Sequence, residues 1–119
     1  MTPVDLETRT TEFALRVIKL YSALPKATEA QVLGKQLLRC GTSVGAHYRE
    51  AKRAKSSLDF ISKIEGALQE LDETSYWLEL IERSEIMPAR RLAPLRAEAI
   101  ELTKILVTIV KRAKQGTKK

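Results

Sequence analysis

Apolar residues in this chain return every three or four positions, and they do so in four consecutive segments separated by breaks. Phe13, Val17, Leu20, Tyr21 and Leu24 mark the first segment. Leu33, Leu37, Cys40, Val44, Tyr48 and Ala51 mark the second, and Ile61, Ile64, Leu68, Leu71, Ser75 and Leu78 the third. Leu92, Leu95, Ala99, Leu102, Leu106 and Ile109 form a near-heptad seam in the fourth. Such spacing places one stripe of each segment on one helix face. Sustained period-two alternation is absent, so no strand is expected. Pro25, Ser56-Ser57 and Pro88 supply the breaks.

The resulting expectation is all-α: one domain of four helices at about 5–24, 29–55, 57–84 and 88–114, with a basic tail at 115–119. Thr28-Glu29-Ala30-Gln31 reads as a capping box, Ser56-Ser57 as a cap with Asp59 in the first turn, and Pro88 as a first-turn residue. Connections this short make neighbouring helices antiparallel, hence an up-down bundle. At 119 residues the chain fits one such core and is too short for a barrel enzyme. The N-terminus shows no basic-then-apolar leader, and no stretch reaches the ~18 apolar residues of a membrane span. A cytoplasmic protein with no membrane partner is the expectation.

Charge is distributed by segment. The net values are 0 for residues 1–24, +5 for 25–55, −5 for 56–84 and +6 for 85–119. On the second helix Lys35, Arg39, Arg49 and Arg53 line one face with Thr42 and Ala46. That face can bind phosphates by displacing counterions, or it can be neutralised inside the bundle. Glu65, Asp72 and Glu79 repeat every seven residues and fall level with Arg49, Thr42 and Lys35 if the third helix folds back directly. Lys111, Arg112, Lys114, Lys118 and Lys119 near the C-terminus have no acidic partner evident in the sequence, though cations there also complement the helix dipole.

Gly34, Gly41 and Gly45 form a narrow strip beside the apolar stripe of the second helix, continued by Tyr48 and Lys52. Each costs about 1 kcal/mol relative to alanine in a helix interior. The strip allows close approach of another backbone, either within the monomer or from a ligand or second subunit; a break at Gly41 is a further reading. Apolar residues also exceed what one core needs. Ile100, Ile105, Val107 and Val110 widen the fourth helix's arc well beyond ~100°, and Tyr76, Trp77 and Leu80 lie off the third helix's stripe. Tyr76, Trp77, Leu80, Ile105, Val107 and Val110 are therefore candidate contacts of a homo-oligomer.

Catalytic signatures are missing. The chain lacks a P-loop, a dinucleotide turn and the Glu-x-x-His pairs of di-iron bundles. One cysteine and one histidine make a zinc site unpromising. Cys40 reads as a small buried hydrophobe and His47 as a packed or part-exposed side chain at the stripe's edge. Glu70, Asp72 and Glu73 offer at most weak cation binding. The expectation is a non-enzyme with no catalytic residue, metal or cofactor.

The run Gln36-Leu-Leu-Arg-Cys-Gly-Thr-Ser-Val-Gly-Ala-His-Tyr-Arg-Glu-Ala51, with Ser57-Leu-Asp-Phe-Ile-Ser-Lys63 and Glu73-Thr-Ser-Tyr-Trp-Leu-Glu-Leu80, resembles the bundle proteins encoded in intervening sequences of bacterial 23S rRNA genes. The accessory variability protein of diversity-generating retroelements is a relative. Similarity extends to Phe13-Ala-Leu-Arg-Val-Ile-Lys-Leu-Tyr21 and the leucine-rich last segment. Two positions depart: the family commonly has Ser at Cys40 and Asn at His47. The resemblance implies a four-helix bundle, a ring-like homopentamer and no known catalysis. The matching residues Gly41, Gly45, Tyr48, Glu50, Phe60, Glu73 and Trp77 are structural by that resemblance. For the retroelement relatives it implies a basic surface that binds nucleic acid and a reverse transcriptase. The leading expectation joins these readings. It is an oligomeric bundle that binds RNA or DNA through Lys35, Arg39, Arg49, Arg53, Lys111, Arg112 and Lys114. The rival is a scaffold recruiting an acidic protein.

Overall fold

In the computed structural model, which describes residues 5–117, four α-helices follow one another: α1 (Leu6–Ser22), α2 (Thr28–Lys52), α3 (Ser57–Arg83) and α4 (Ala89–Thr117). α1 packs on α2, α2 on α3 and α3 on α4, and α4 closes more loosely on α1. This is an up-down bundle measuring 53 × 29 × 21 Å, its long axis set by helices of about 40 Å at ~1.5 Å per residue. The helical residue Thr117 carries α4 beyond the expected end at 114; Lys118 and Lys119 lie outside the described residues.

The stripes meet along the axis. Phe13, Val17, Leu37, Cys40, Val44, Ile64, Leu71, Leu78, Leu92, Leu102 and Leu106 have no exposed surface. Two threonines join them, and each satisfies its hydroxyl within its own helix. Thr10 donates to the Leu6 carbonyl and Thr74 to the Glu70 carbonyl, both at 2.7 Å.

Helix ends follow local chemistry, with two departures from expectation. Asp5 caps α1, accepting from the Thr8 N–H at 3.0 Å, and that bond lowers the carboxyl's pKa. Ser56 caps α3 by accepting from the Asp59 N–H at 3.0 Å, while Asp59 accepts from the Lys55 N–H at 3.3 Å. The capping box at Thr28 does not form. Thr28 is already the first helical residue, Ala27 holds the cap position, and no side chain caps it. Gln31 instead ties the turn together: its amide donates to the Pro25 carbonyl at 2.8 Å and accepts from the Tyr21 hydroxyl at 2.9 Å. Pro88 precedes α4 rather than entering it. Pro94 lies inside α4, where it has no N–H to give the Arg90 carbonyl.

The α3–α4 turn needs a left-handed residue, and Glu85 supplies it with φ 59°. The Ile86 N–H reaches the Ile81 carbonyl at 3.1 Å and the Glu85 N–H reaches the Glu82 carbonyl at 3.0 Å. This is the paired Schellman closure, made without the usual glycine.

Candidate nucleic-acid interface

α2 is the edge of the bundle between α1 and α3, so its outward face carries Lys35, Arg39, Arg49 and Arg53, all exposed. The four cations differ in what they meet. Arg39 leans onto α3. Its guanidinium donates to Glu73 at 3.0 Å and lies 3.6 Å from Glu70, and the Glu73 hydrogen bond raises its pKa. Arg49 leans the other way and donates to the Thr11 hydroxyl of α1 at 3.2 Å. The side chains of Lys35 and Arg53 make no ion pair or hydrogen bond among the described residues.

Neutralisation therefore occurs, but not through the acids expected from the heptad. Glu65 binds Lys114 of α4 at 3.1 Å, Glu79 binds Arg83 on its own helix at 3.1 Å, and Asp72 borders clefts shared with α4. At ~100° per residue those three acids occupy the α4 side of α3. Glu70 and Glu73 lie round the helix from them and face α2. Lys114, expected to lack a partner, has one in Glu65.

Tertiary structure gathers a second set of cations. The end of α2, the α2–α3 turn and the last turns of α4 enclose an open cavity of about 620 Å³, bordered by Lys52, Lys55, Ser56, Phe60, Ala113 and Gly116. Lys52 is committed to Glu7 at 3.0 Å, and that bond lowers the Glu7 carboxyl's pKa and raises that of the ammonium. Around the same end, Arg53, Lys55, Lys111 and Arg112 are exposed, and their side chains make no ion pair among the described residues. Lys55 was missed in the sequence reading. Its signal was present in the charge of the Lys52-Arg53-Ala54-Lys55 run, but the partner from α4 is visible only in the fold.

The glycine strip faces α1. A methyl group on Gly34 would stand 2.6 Å from Leu24 Cδ1, one on Gly41 2.6 Å from Val17 Cγ2, and one on Gly45 3.2 Å from Thr10 Oγ1. The strip seats α1 inside the monomer, and α2 runs unbroken through Gly41. Gly66 of α3 does the same for His47, whose ring lies 3.0 Å from where a Cβ would be.

Cys40, Glu70 and Glu73 bring their ligand atoms within 4.8 Å of one another between α2 and α3. Arg39 already covers this group, with its guanidinium 3.1 Å from Cys40 Sγ. Burial first, then Glu73, push the Cys40 thiol up to about 11. His47 is half-buried, its Nε2 3.8 Å from Glu70 and its Nδ1 3.4 Å from Glu50. Asp72 does not join this group.

Of the residues expected at an oligomer contact, Tyr76 is 53% exposed and stacks at a tilt on Trp77, ring centres 5.1 Å apart. Trp77 and Leu80 are partly buried, as are Ile105 and Val107. Val110 belongs to the core at 7% exposure, because it falls in line with Leu102 and Leu106 on the inward side of α4. It is unavailable to a second subunit.

Among proteins with curated descriptions, none matches the chain. Among solved structures, the chain is similar to a crystal structure from Bacteroides thetaiotaomicron described as a protein with unknown function from the S23 ribosomal protein family. The two are 41% identical over 88% of this chain and 97% of that one, with a TM-score of 0.83. No described helix is long and apolar enough to cross a membrane. A family profile described as 23S rRNA-intervening sequence protein matches residues 4–108, and with the four-helix architecture above this shows that the chain belongs to that family.

Proposed function

We propose that this chain is a non-enzymatic, homo-oligomeric bundle of the cytoplasm that binds RNA or DNA through backbone phosphates. The observation that carries the reading is the cluster of Arg53, Lys55, Lys111 and Arg112 at one end of the bundle, without ion-pair partners among the described residues. Cations already paired with carboxylates release few counterions on meeting a phosphate, whereas unpaired ones release their full share. On this reading the contact lies at the α2–α3 turn and the end of α4. Lys35 extends it along α2, while Arg39, Arg49 and Lys114 contribute less. Phe60, the aromatic residue that borders this cavity, is partly buried, and the reading assigns no base stacking. A reverse transcriptase is a further partner on this reading, and the alternative is a scaffold that recruits an acidic protein.

The test is nucleic-acid affinity against salt for the parent, for Arg53→Glu/Lys111→Glu and for Arg39→Ala. The pole variant is expected to bind at least tenfold more weakly, its log–log salt slope reduced by about 0.9 per lost contact on duplex DNA. Arg39→Ala is expected to bind within about twofold of the parent. Absence of binding by the parent at low salt would reject the reading and leave the acidic-protein scaffold in its place.

A further inference from the structure

The two apolar stripes that meet at the cationic pole both end in small residues. On α4 the inward series Leu102, Leu106 and Val110 finishes with Ala113 and Gly116. On α2, Val44 and Tyr48 give way to Ala51, with Ala54 just past the helix. Protein interiors close by interlocking large side chains. These four small residues instead border the open cavity of about 620 Å³, together with the partly buried Phe60. A Cβ added at Gly116 would meet nothing within 4 Å. Ser57 also borders the cavity, and its hydroxyl makes no hydrogen bond among the described residues. Of the cations on the border, Lys52 is held by Glu7 and Lys55 is unpaired, and no carboxylate lies among the described residues there.

We infer that this cavity receives one unpaired base of a single-stranded RNA or DNA, while the flanking phosphates meet Lys55 and the cations around it. This rests on the nucleic-acid part of the proposed function and names the class of strand that the site takes. The volume falls within the ~300–1,000 Å³ of small-ligand sites. An unpaired base can turn out of its strand and bury its apolar faces. Here it is held by burial between small side chains, with Ser57 available to its polar edge, rather than by lying on an exposed ring.

Charge alone predicts the opposite preference. Phosphates are denser on a duplex, and each contact there releases more counterions than on a single strand. A bare cationic patch therefore binds duplex at least as tightly as single strand. Paired bases are stacked inside the duplex and cannot enter the cavity, so a duplex has only its phosphates to offer. Preference for single strands is thus the signature of the cavity, as distinct from the cations at its rim.

The experiment is fluorescence anisotropy of the full chain at low salt with three probes of about 12 nucleotides: an RNA strand, the DNA strand of the same sequence and the blunt DNA duplex. The cavity variant, Ala54→Leu/Gly116→Leu, fills the space from two sides without changing charge. Gly116→Leu alone is the second variant, and the open space at that position leaves the fold unstrained. Circular dichroism and thermal melting verify folding of each. The parent is expected to bind at least one single strand at least about tenfold more tightly than the duplex. The filled variants are expected to lose at least about fivefold on that strand and to stay within about twofold of the parent on the duplex, with salt slopes unchanged because no phosphate contact is removed. A parent that binds none of the probes overturns the nucleic-acid reading and this inference together. A parent that binds the duplex as tightly as either single strand, or a preference that survives in every folded variant, overturns the cavity assignment and leaves the phosphate reading standing.

Discussion

Cys40 was recognisable from its place on an apolar stripe, and the structure adds what disfavours its thiolate. Its sulfur is wholly buried, and its thiol is pushed up to about 11 by that burial and by Glu73. Since the thiolate is the reactive form, alkylation at pH 8 is expected to be at least about a hundredfold slower in the native protein than in the urea-unfolded chain. A maleimide or iodoacetamide time course checks this. Glu85 is the opposite case. Nothing in Ser84-Glu85-Ile86 marks a left-handed position, because such sites usually show glycine or asparagine. The residue is left-handed because that conformation brings its own N–H to the Glu82 carbonyl and the Ile86 N–H to the Ile81 carbonyl. Glu85→Gly is expected to stabilise the protein by about 0.5–1 kcal/mol, read from denaturant midpoints.

Single helices were legible to within a few residues, because apolar spacing and proline breaks act locally. What one helix does to its neighbour was less so. The glycine strip of α2 could have served a ligand, a subunit or α1, and only packing assigns it to α1. Gly41 and Gly45 separate the two effects at work. A methyl at Gly41 meets the buried, β-branched Val17 at 2.6 and 2.9 Å, and that side chain has little freedom to move. Gly41→Ala is expected to destabilise by about 1–2 kcal/mol, the overpacking cost exceeding the ~1 kcal/mol gain in helix propensity. At Gly45 the contact relaxes to 3.2 Å, so Gly45→Ala is expected to lie within about 0.5 kcal/mol of the parent. Thermal or urea melts of the pair test the difference.

Across the whole molecule, the weakest seam is α1 against α4, and the Arg9–Glu98 pair bridges it with two hydrogen bonds. The bond from Arg9 lowers the Glu98 carboxyl's pKa despite partial burial. A folded pKa below the unfolded value of about 4.3 stabilises at higher pH, and the contribution is lost as pH falls through the folded value. Glu98→Gln is expected to lower stability by about 1 kcal/mol at pH 7, with the difference from the parent shrinking below about pH 4. Urea unfolding at several pH values reads it directly.

By itself the sequence determined that four amphipathic helices form, where they break and which stripe each buries, since these follow from period, proline and cap chemistry over one or two turns. Its family membership was also legible, in the Gly-Thr-Ser-Val-Gly and Tyr-Trp-Leu-Glu segments. Tertiary structure alone decided how charge is shared. The rotation of α3 about its own axis chose Glu70 and Glu73 for Arg39 and turned Glu65 toward Lys114. The same geometry brought the end of α4 to the α2–α3 turn. Pairings of this kind depend on helix rotation and axial offset, which a repeat of apolar residues leaves free by a turn or more and which only the packed core fixes.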